Sequence, residues 1–163
     1  KLSNTSDPLT SEVQLRDVLE SDLPIFFEHQ ADPVANQMAA FPPRDKDAFF
    51  SHWAKIMRDE TIILKTILFD GQVAGIVLSF VTSGEREVGY WIGREYWGKG
   101  IATRALNEFL GQVRERPLHG YVARHNIGSR RVLEKCGFMF LREDKYSSPN
   151  GQEVEGFVLV LKE

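Results

Sequence analysis

Glu87-Val88-Gly89-Tyr90-Trp91-Ile92-Gly93-Arg94-Glu95-Tyr96-Trp97-Gly98-Lys99-Gly100-Ile101-Ala102-Thr103 is the stretch whose reading decides the fold. It reads as a strand, then a short turn with glycines at 98 and 100, then the start of a helix. Glycines let the backbone approach a ligand and adopt conformations closed to other residues. The free N–H groups and the dipole at a helix start make an anion site suited to a pyrophosphate. Lys99 adds a point charge beside it. A glycine turn that only admits the chain to a helix is the plainer reading of Gly-x-Gly taken alone. Two familiar phosphate motifs are excluded. Lys99 is followed by Gly100 rather than Ser or Thr, so a P-loop fails. The Gly-x-Gly-x-x-Gly spacing of a dinucleotide fold is absent, and the preceding strand lies in a hairpin-rich region.

Upstream of this stretch, Thr61–Phe69 and Gln72–Phe80 are β-branched-rich runs joined by Asp70-Gly71, a strong hairpin signal. A turn at Ser83-Gly84 leads into the strand from Arg86 to Ile92. Before them the sequence predicts a strand over Val13–Leu19, a helix capped by Asp22, an irregular loop over Asp32–Pro43 and a helix over Arg44–Arg58. Downstream, Ile101–Arg114 carries an apolar stripe of Ile101, Ala105, Leu106, Phe109 and Val113 at helical spacing. Leu118–Ala123 reads as a buried strand. A last helix follows over Ile127–Cys136, ended by Gly137. Strands at Phe138–Tyr146 and Glu153–Leu161 close the chain. The pattern predicts an α/β (α+β) domain: a mixed, mostly antiparallel sheet flanked by about four helices.

One domain accounts for all 163 residues, with Lys1–Thr10 read as a loose polar arm. A net charge of −3, from 20 basic and 23 acidic residues, argues against a nucleic-acid binder. The lone Cys136 forms no intrachain disulfide, so a reducing compartment is the default. With no signal pattern and no membrane-length apolar run, the expectation is a cytoplasmic, non-membrane protein. His29, His52, His119 and His125 show no metal-ligand spacing, and no metal is expected.

Two motifs give the chain a resemblance to the GNAT N-acetyltransferases, in particular the RimJ/RimL-like branch. One is Gly-Tyr-Trp-Ile-Gly-x-Glu-Tyr-Trp-Gly-Lys-Gly-Ile-Ala-Thr at 89–103. The other is Asn126-x-x-Ser129-x-x-Val132-Leu133-Glu134-Lys135-x-Gly137-Phe138. The resemblance implies the GNAT acyl-CoA N-acyltransferase fold, with a splayed central strand pair, and acetyl-CoA as co-substrate. It implies that backbone N–H groups from Trp97, Gly98, Lys99, Gly100, Ile101, Ala102 and Thr103 hold the pyrophosphate. The strand edge at Trp91, Ile92 and Gly93 would pair with pantetheine. Trp97 stands where the family usually has Gln or Arg. Asn126 resembles the family asparagine that bonds the pantetheine arm; as a residue it also reads as a helix N-cap. Arg131 is assigned to the adenosine phosphates, against the alternative of a solvated helix face.

Acetyl transfer needs a base for the amine proton and help for the departing thiolate. Glu87 is the candidate base, alternating with Gly89 and Trp91 on one strand face; the alternative is a solvated carboxylate, and Glu85 is a weaker rival. The family tyrosine that protonates the thiolate is replaced by Leu133. The resemblance assigns that role to Ser129, whose other reading is a small residue allowing close packing. Cys136 reads as a core thiol. The acceptor is a primary amine, a protein N-terminus or a small amine. It would be walled by the first two helices and their loop, at Gln37, Met38, Phe41, Arg44 and Phe49. Dimerisation is common among the proteins the chain resembles, and no patch in the sequence establishes it. A non-catalytic acyl-CoA-binding module is the competing function. It would need Gly100, Ala102 and Asn126 but neither Glu87 nor Ser129.

Overall fold

Two tight turns set the centre of the sheet. In the computed structural model, which describes residues 12–163, Asp70 and Gly71 join β2 (Ile63–Phe69) to β3 (Gln72–Thr82) with φ of 50° and 81°. Ser83 and Gly84 join β3 to β4 (Glu85–Ile92) with φ of 51° and 80°. Paired left-handed residues match a two-residue turn to the twist of its strands. The arm expected at 1–10 lies outside the described residues. The remaining strands are β1 (Val13–Asp17), β5 (Leu118–Ala123), β6 (Met139–Ser147) and β7 (Glu153–Leu161). They form one seven-stranded sheet in the order β1-β2-β3-β4-β5-β7-β6.

Every neighbouring pair is antiparallel except β4 and β5. That parallel pair is bonded only from Arg86 opposite Leu118 to Val88 opposite Gly120. Beyond it β4 runs on to Ile92 and β5 to Ala123, and the two strands part. The wedge opens at the carboxyl ends of parallel strands, the place where α/β sheets bind ligands.

Among the described residues five α-helices flank the sheet: α1 (Leu23–Gln30), α2 (Pro33–Ala39), α3 (Lys46–Met57), α4 (Ile101–Gln112) and α5 (Ile127–Lys135). The sequence predicted four. The added helix, α2, falls where three prolines pointed to an irregular loop. Asp32 caps it by accepting from Val34 N–H at 3.0 Å, and Pro33 takes the first helical position, where no N–H is needed. Asp22 also differs from expectation. It stands at the N-cap position of α1, but its side chain makes no cap bond to that helix; it accepts two bonds from Arg16 at 2.7 and 2.9 Å, one from Leu19 N–H and one from Thr66 Oγ1. The first strand accordingly stops at Asp17, and a 3-10 turn, Glu20–Asp22, brings the carboxylate back over β2.

The apolar stripe of α4 is the main core. Ile101, Ala105, Leu106 and Phe109 are buried against Val88 and Ile92 of β4, and α5 adds Leu133 and its C-cap residue Cys136. Burying a Leu- or Phe-sized side chain is worth about 1.5–3 kcal/mol, so this stripe holds the start of α4 firmly against the end of β4. On the opposite face α1 and α3 pack Phe26, Phe49 and Trp53 over Ile76. Phe49, expected on the acceptor wall, is a core residue with 1% exposure.

Candidate active site

The wedge between β4 and β5 continues into a cleft of about 1450 Å³ that runs from α4 and α5 on one side of the sheet to α2 and α3 on the other. The β3 ladder fixes which backbone groups face it. Ile92 is paired with Gly75, and the next N–H, that of Gly93, goes back to Ala74 O at 2.9 Å. In an antiparallel ladder, hydrogen-bonding direction alternates along the strand. Trp91 therefore spends its backbone groups on β3, as Gly93 does its N–H while its carbonyl accepts from Tyr96 N–H, and Tyr90 and Ile92 point theirs into the wedge. Of the expected edge of Trp91, Ile92 and Gly93, the register turns the backbone of Ile92, together with that of Tyr90, toward the wedge. Gly93 is buried beneath His29, and the Ile92 carbonyl already accepts the Trp97 indole N–H at 2.9 Å. Trp91 does line the cleft, from the other side: its indole donates to His29 O at 3.0 Å and its ring meets Phe41 edge-on.

Past Trp97 the chain turns through Gly98 and Gly100, at φ of 79° and 73°, and α4 begins with no side chain capping it. The space about both glycines is open. The first N–H groups of α4 thus have no protein acceptor and face the cleft mouth, which Gly98, Gly100, Ile101, Ala102 and Thr103 line. This cradle suits a pyrophosphate, and the long cleft beyond it suits a pantetheine arm. Lys99 and Arg131 flank this region with exposed side chains and lie outside the lining.

On α5, Asn126 is both cap and cleft residue: its Oδ1 accepts from Ser129 N–H at 3.2 Å, and both residues line the cleft. Leu133, standing where the family tyrosine would, is buried and fills the space over Gly120, where a Cβ would come within 2.9 Å of it. Ser129 has a partner that the sequence did not disclose. The Tyr90 hydroxyl lies 2.7 Å from Ser129 Oγ and 3.0 Å from Ser129 O. Alternation along β4 could have turned Tyr90 toward this side, but no spacing links it to a residue 39 positions away.

Glu87 lines the opposite side of the wedge. Burial pushes its carboxyl up to about 7; a Thr82 hydroxyl bond opposes the shift and the charge of Glu85 adds to it. Tyr146 lines the same end, and burial with the nearby Glu87 charge pushes its phenol up to about 12. Glu85, the rival base, is outside the lining and accepts from Tyr121 OH at 3.2 Å. Met38, Phe41 and Arg44 line the expected acceptor side, whereas Gln37 belongs to a separate groove beside His125. Cys136 is a core thiol pushed up by burial, its S–H aimed at Thr103 O. Among the described residues no cluster of three or more His, Cys, Asp or Glu could hold a metal, and no helix is long and apolar enough to cross a membrane.

Residues 12–139 match the model of the acetyltransferase (GNAT) domain family. A curated relative from Bacillus subtilis (strain 168), named "Putative ribosomal N-acetyltransferase YdaF", is 29% identical over 101 residues. That match covers 58% of this chain and 55% of the relative, so it spans about half the relative's length. Among solved structures, spermidine N-acetyltransferase from Vibrio cholerae, in complex with CoA and spermine, superposes with a TM-score of 0.77 at 17% identity, covering 92% of this chain and 95% of that one. RimJ of Mycobacterium smegmatis, in complex with CoA-disulfide, gives 0.73 at 22% identity, with coverage of 92% and 81%. At these identities the two structures speak for the fold alone.

Proposed function

The chain belongs to the acetyltransferase (GNAT) family, and on that premise we propose that it transfers an acetyl group from acetyl-CoA to a primary amine by direct attack. The observation that carries this reading is the wedge itself. An uncapped helix start lies at its mouth, a hydroxyl pair stands on one wall and a carboxyl raised to about 7 stands on the other.

In this reading the N–H groups from Gly98 to Thr103 bind the pyrophosphate, and the edge at Tyr90 and Ile92, whose Ile92 carbonyl also holds the Trp97 indole, pairs with pantetheine. The amide of Asn126, whose oxygen is engaged by α5, keeps its NH2 for the same arm. Acetyl-CoA supplies an acyl group already activated as a thioester. Glu87 takes the amine proton, directly or through one water, and Ser129 donates to the departing sulfur. Cys136 supports direct attack over an acetyl-cysteine route, because its thiol is in the core and its ionisation is disfavoured.

A base near 7 is matched to an α-amine of about 8 better than to a lysine-type amine of about 10.4, of which roughly one in a few thousand is neutral at pH 7. This favours an α-amine such as a protein N-terminus, in keeping with the ribosomal N-acetyltransferase name of the curated relative; a polyamine, named for one structural neighbour, is the second candidate. The test is thiol release from acetyl-CoA with peptides bearing free N-termini, with spermidine and with lysine. Amine-dependent release with an acetylated product supports the proposal. Tight acetyl-CoA binding with no turnover on any amine would replace it by a non-catalytic acyl-CoA-binding module.

A further inference from the structure

We propose that Tyr90 is a positioning residue of this site, setting the direction in which the Ser129 hydroxyl donates. The inference rests on the acetyl-transfer reading above and goes beyond it by naming a residue that acts through another. Tyr90 leaves β4 between Val88 and Ile92, on the side of α4, and its phenol crosses to the first turn of α5. It reaches Ser129 where β4 and β5 have already parted, and both side chains line the cleft. The turn it meets is rigid, because Asn126 holds Ser129 N–H. Burial pushes the phenol far above its usual range; the Ser129 bond opposes that shift and Cys136 adds to it. Tyr90 therefore keeps its proton at any working pH and donates one hydrogen bond.

Two proton arrangements fit the two short contacts. In one, the phenol donates to Ser129 O and the serine hydroxyl donates back to the phenol oxygen, with its proton turned away from the cleft. In the other, the phenol donates to Ser129 Oγ, and the serine proton is released toward the cleft. Negative charge growing on the departing sulfur selects the second, because the serine donor is then polarised by a donor behind it. The balance is simple. The amine nitrogen bonds to the acyl carbon, the carbon–sulfur bond breaks, and sulfur leaves with the electron pair as thiolate. The amine proton ends on Glu87, and neither Ser129 nor Tyr90 is left ionised. Leu133 supplies no hydroxyl at the family's usual position, so this pair is the hydroxyl donor facing the wedge from α5 among the described residues.

The experiment is a double-mutant cycle of Tyr90→Phe and Ser129→Ala, with turnover on the best acceptor peptide and acetyl-CoA affinity by calorimetry. Tyr90→Phe keeps the ring and should lower kcat about 2- to 10-fold, the worth of one hydrogen bond between neutral groups. Acetyl-CoA affinity and the Tm should stay near wild type. The double variant should be no slower than Ser129→Ala alone, because the phenol acts through the serine. An unchanged kcat in Tyr90→Phe overturns the proposal, as do losses that multiply in the double variant. A loss that appears entirely as weaker donor binding or a lower Tm assigns Tyr90 to packing and overturns it equally. Absence of turnover in the wild type removes the acetyl-transfer reading and this inference together, whereas wild-type turnover with an unaffected Tyr90→Phe removes this inference alone.

Discussion

Replacing Glu87 by Gln should stabilise the unliganded protein at alkaline pH while it disables turnover. The Glu87 carboxyl moves from 4.5 to about 7, chiefly through burial. A carboxyl raised on folding holds its proton more tightly in the folded chain than in the unfolded one. Stability therefore falls as pH rises from 4.5, and the loss is complete above about 7. At 1.36 kcal/mol per tenfold change, that interval sets a ceiling of about 3.4 kcal/mol. The side chain is only partly buried, so solvent screening reduces the figure to about 1–2 kcal/mol. For a domain of this size the gain in Tm for Glu87→Gln is about 3–6 °C at pH 8 and close to zero at pH 5. Thermal melts of both proteins at the two pH values read this directly. In parallel, kcat/KM of the variant should fall by about 10²–10⁴ and lose the limb that rises toward pH 7 in the wild type. An equal gain at both pH values, or a variant less stable at pH 8, would refute the electrostatic reasoning. A variant whose pH–rate profile parallels the wild type would strike Glu87 as base.

Asp22→Ala should cost about 3 kcal/mol in urea denaturation at neutral pH, because it strips Arg16 and the buried Thr66 hydroxyl of their shared acceptor. Although burial alone would raise the Asp22 carboxyl, its hydrogen bonds to Arg16, Leu19 and Thr66 hold it below 3.8. The gap between wild type and variant should therefore persist down to about pH 4 and close as pH falls through the folded-state value. Gly120→Val should cost about 1–3 kcal/mol by overpacking Leu133, and adding Leu133→Ala should recover part of it in the same melts. His29, whose pKa burial lowers, loses stability for the fold as pH drops below 6.5; His29→Gln should flatten the pH dependence of Tm just below 6.5.

The hairpins and α4 were legible because each rests on local chemistry. Asp70-Gly71 and Ser83-Gly84 are residue pairs that accept two left-handed conformations, and the α4 stripe is written at helical spacing. α2 was legible too, in Asp32-Pro33, but the prolines at 42 and 43 drew the whole segment toward a loop reading. The wedge itself was expected from family likeness, while its geometry depends on long-range pairing. Which residues of β4 offer their backbone to it is set by the register on β3, and β4 alone does not carry that information; hence Tyr90 was not singled out. The Tyr90–Ser129 contact joins a strand to a helix across the gap, and no periodicity in either element marks it.

Calorimetric titration of acetyl-CoA into the wild type and Gly100→Glu tests the central claim most directly. Glutamate at position 100 forces a side chain onto a backbone at φ of 73° and sets a carboxylate against the pyrophosphate cradle. Saturable micromolar binding to the wild type, at least about 100-fold weaker in the variant while its circular dichroism stays native, is the predicted result. No binding to a wild-type protein that melts cooperatively would contradict the account, as would equal affinity for both proteins.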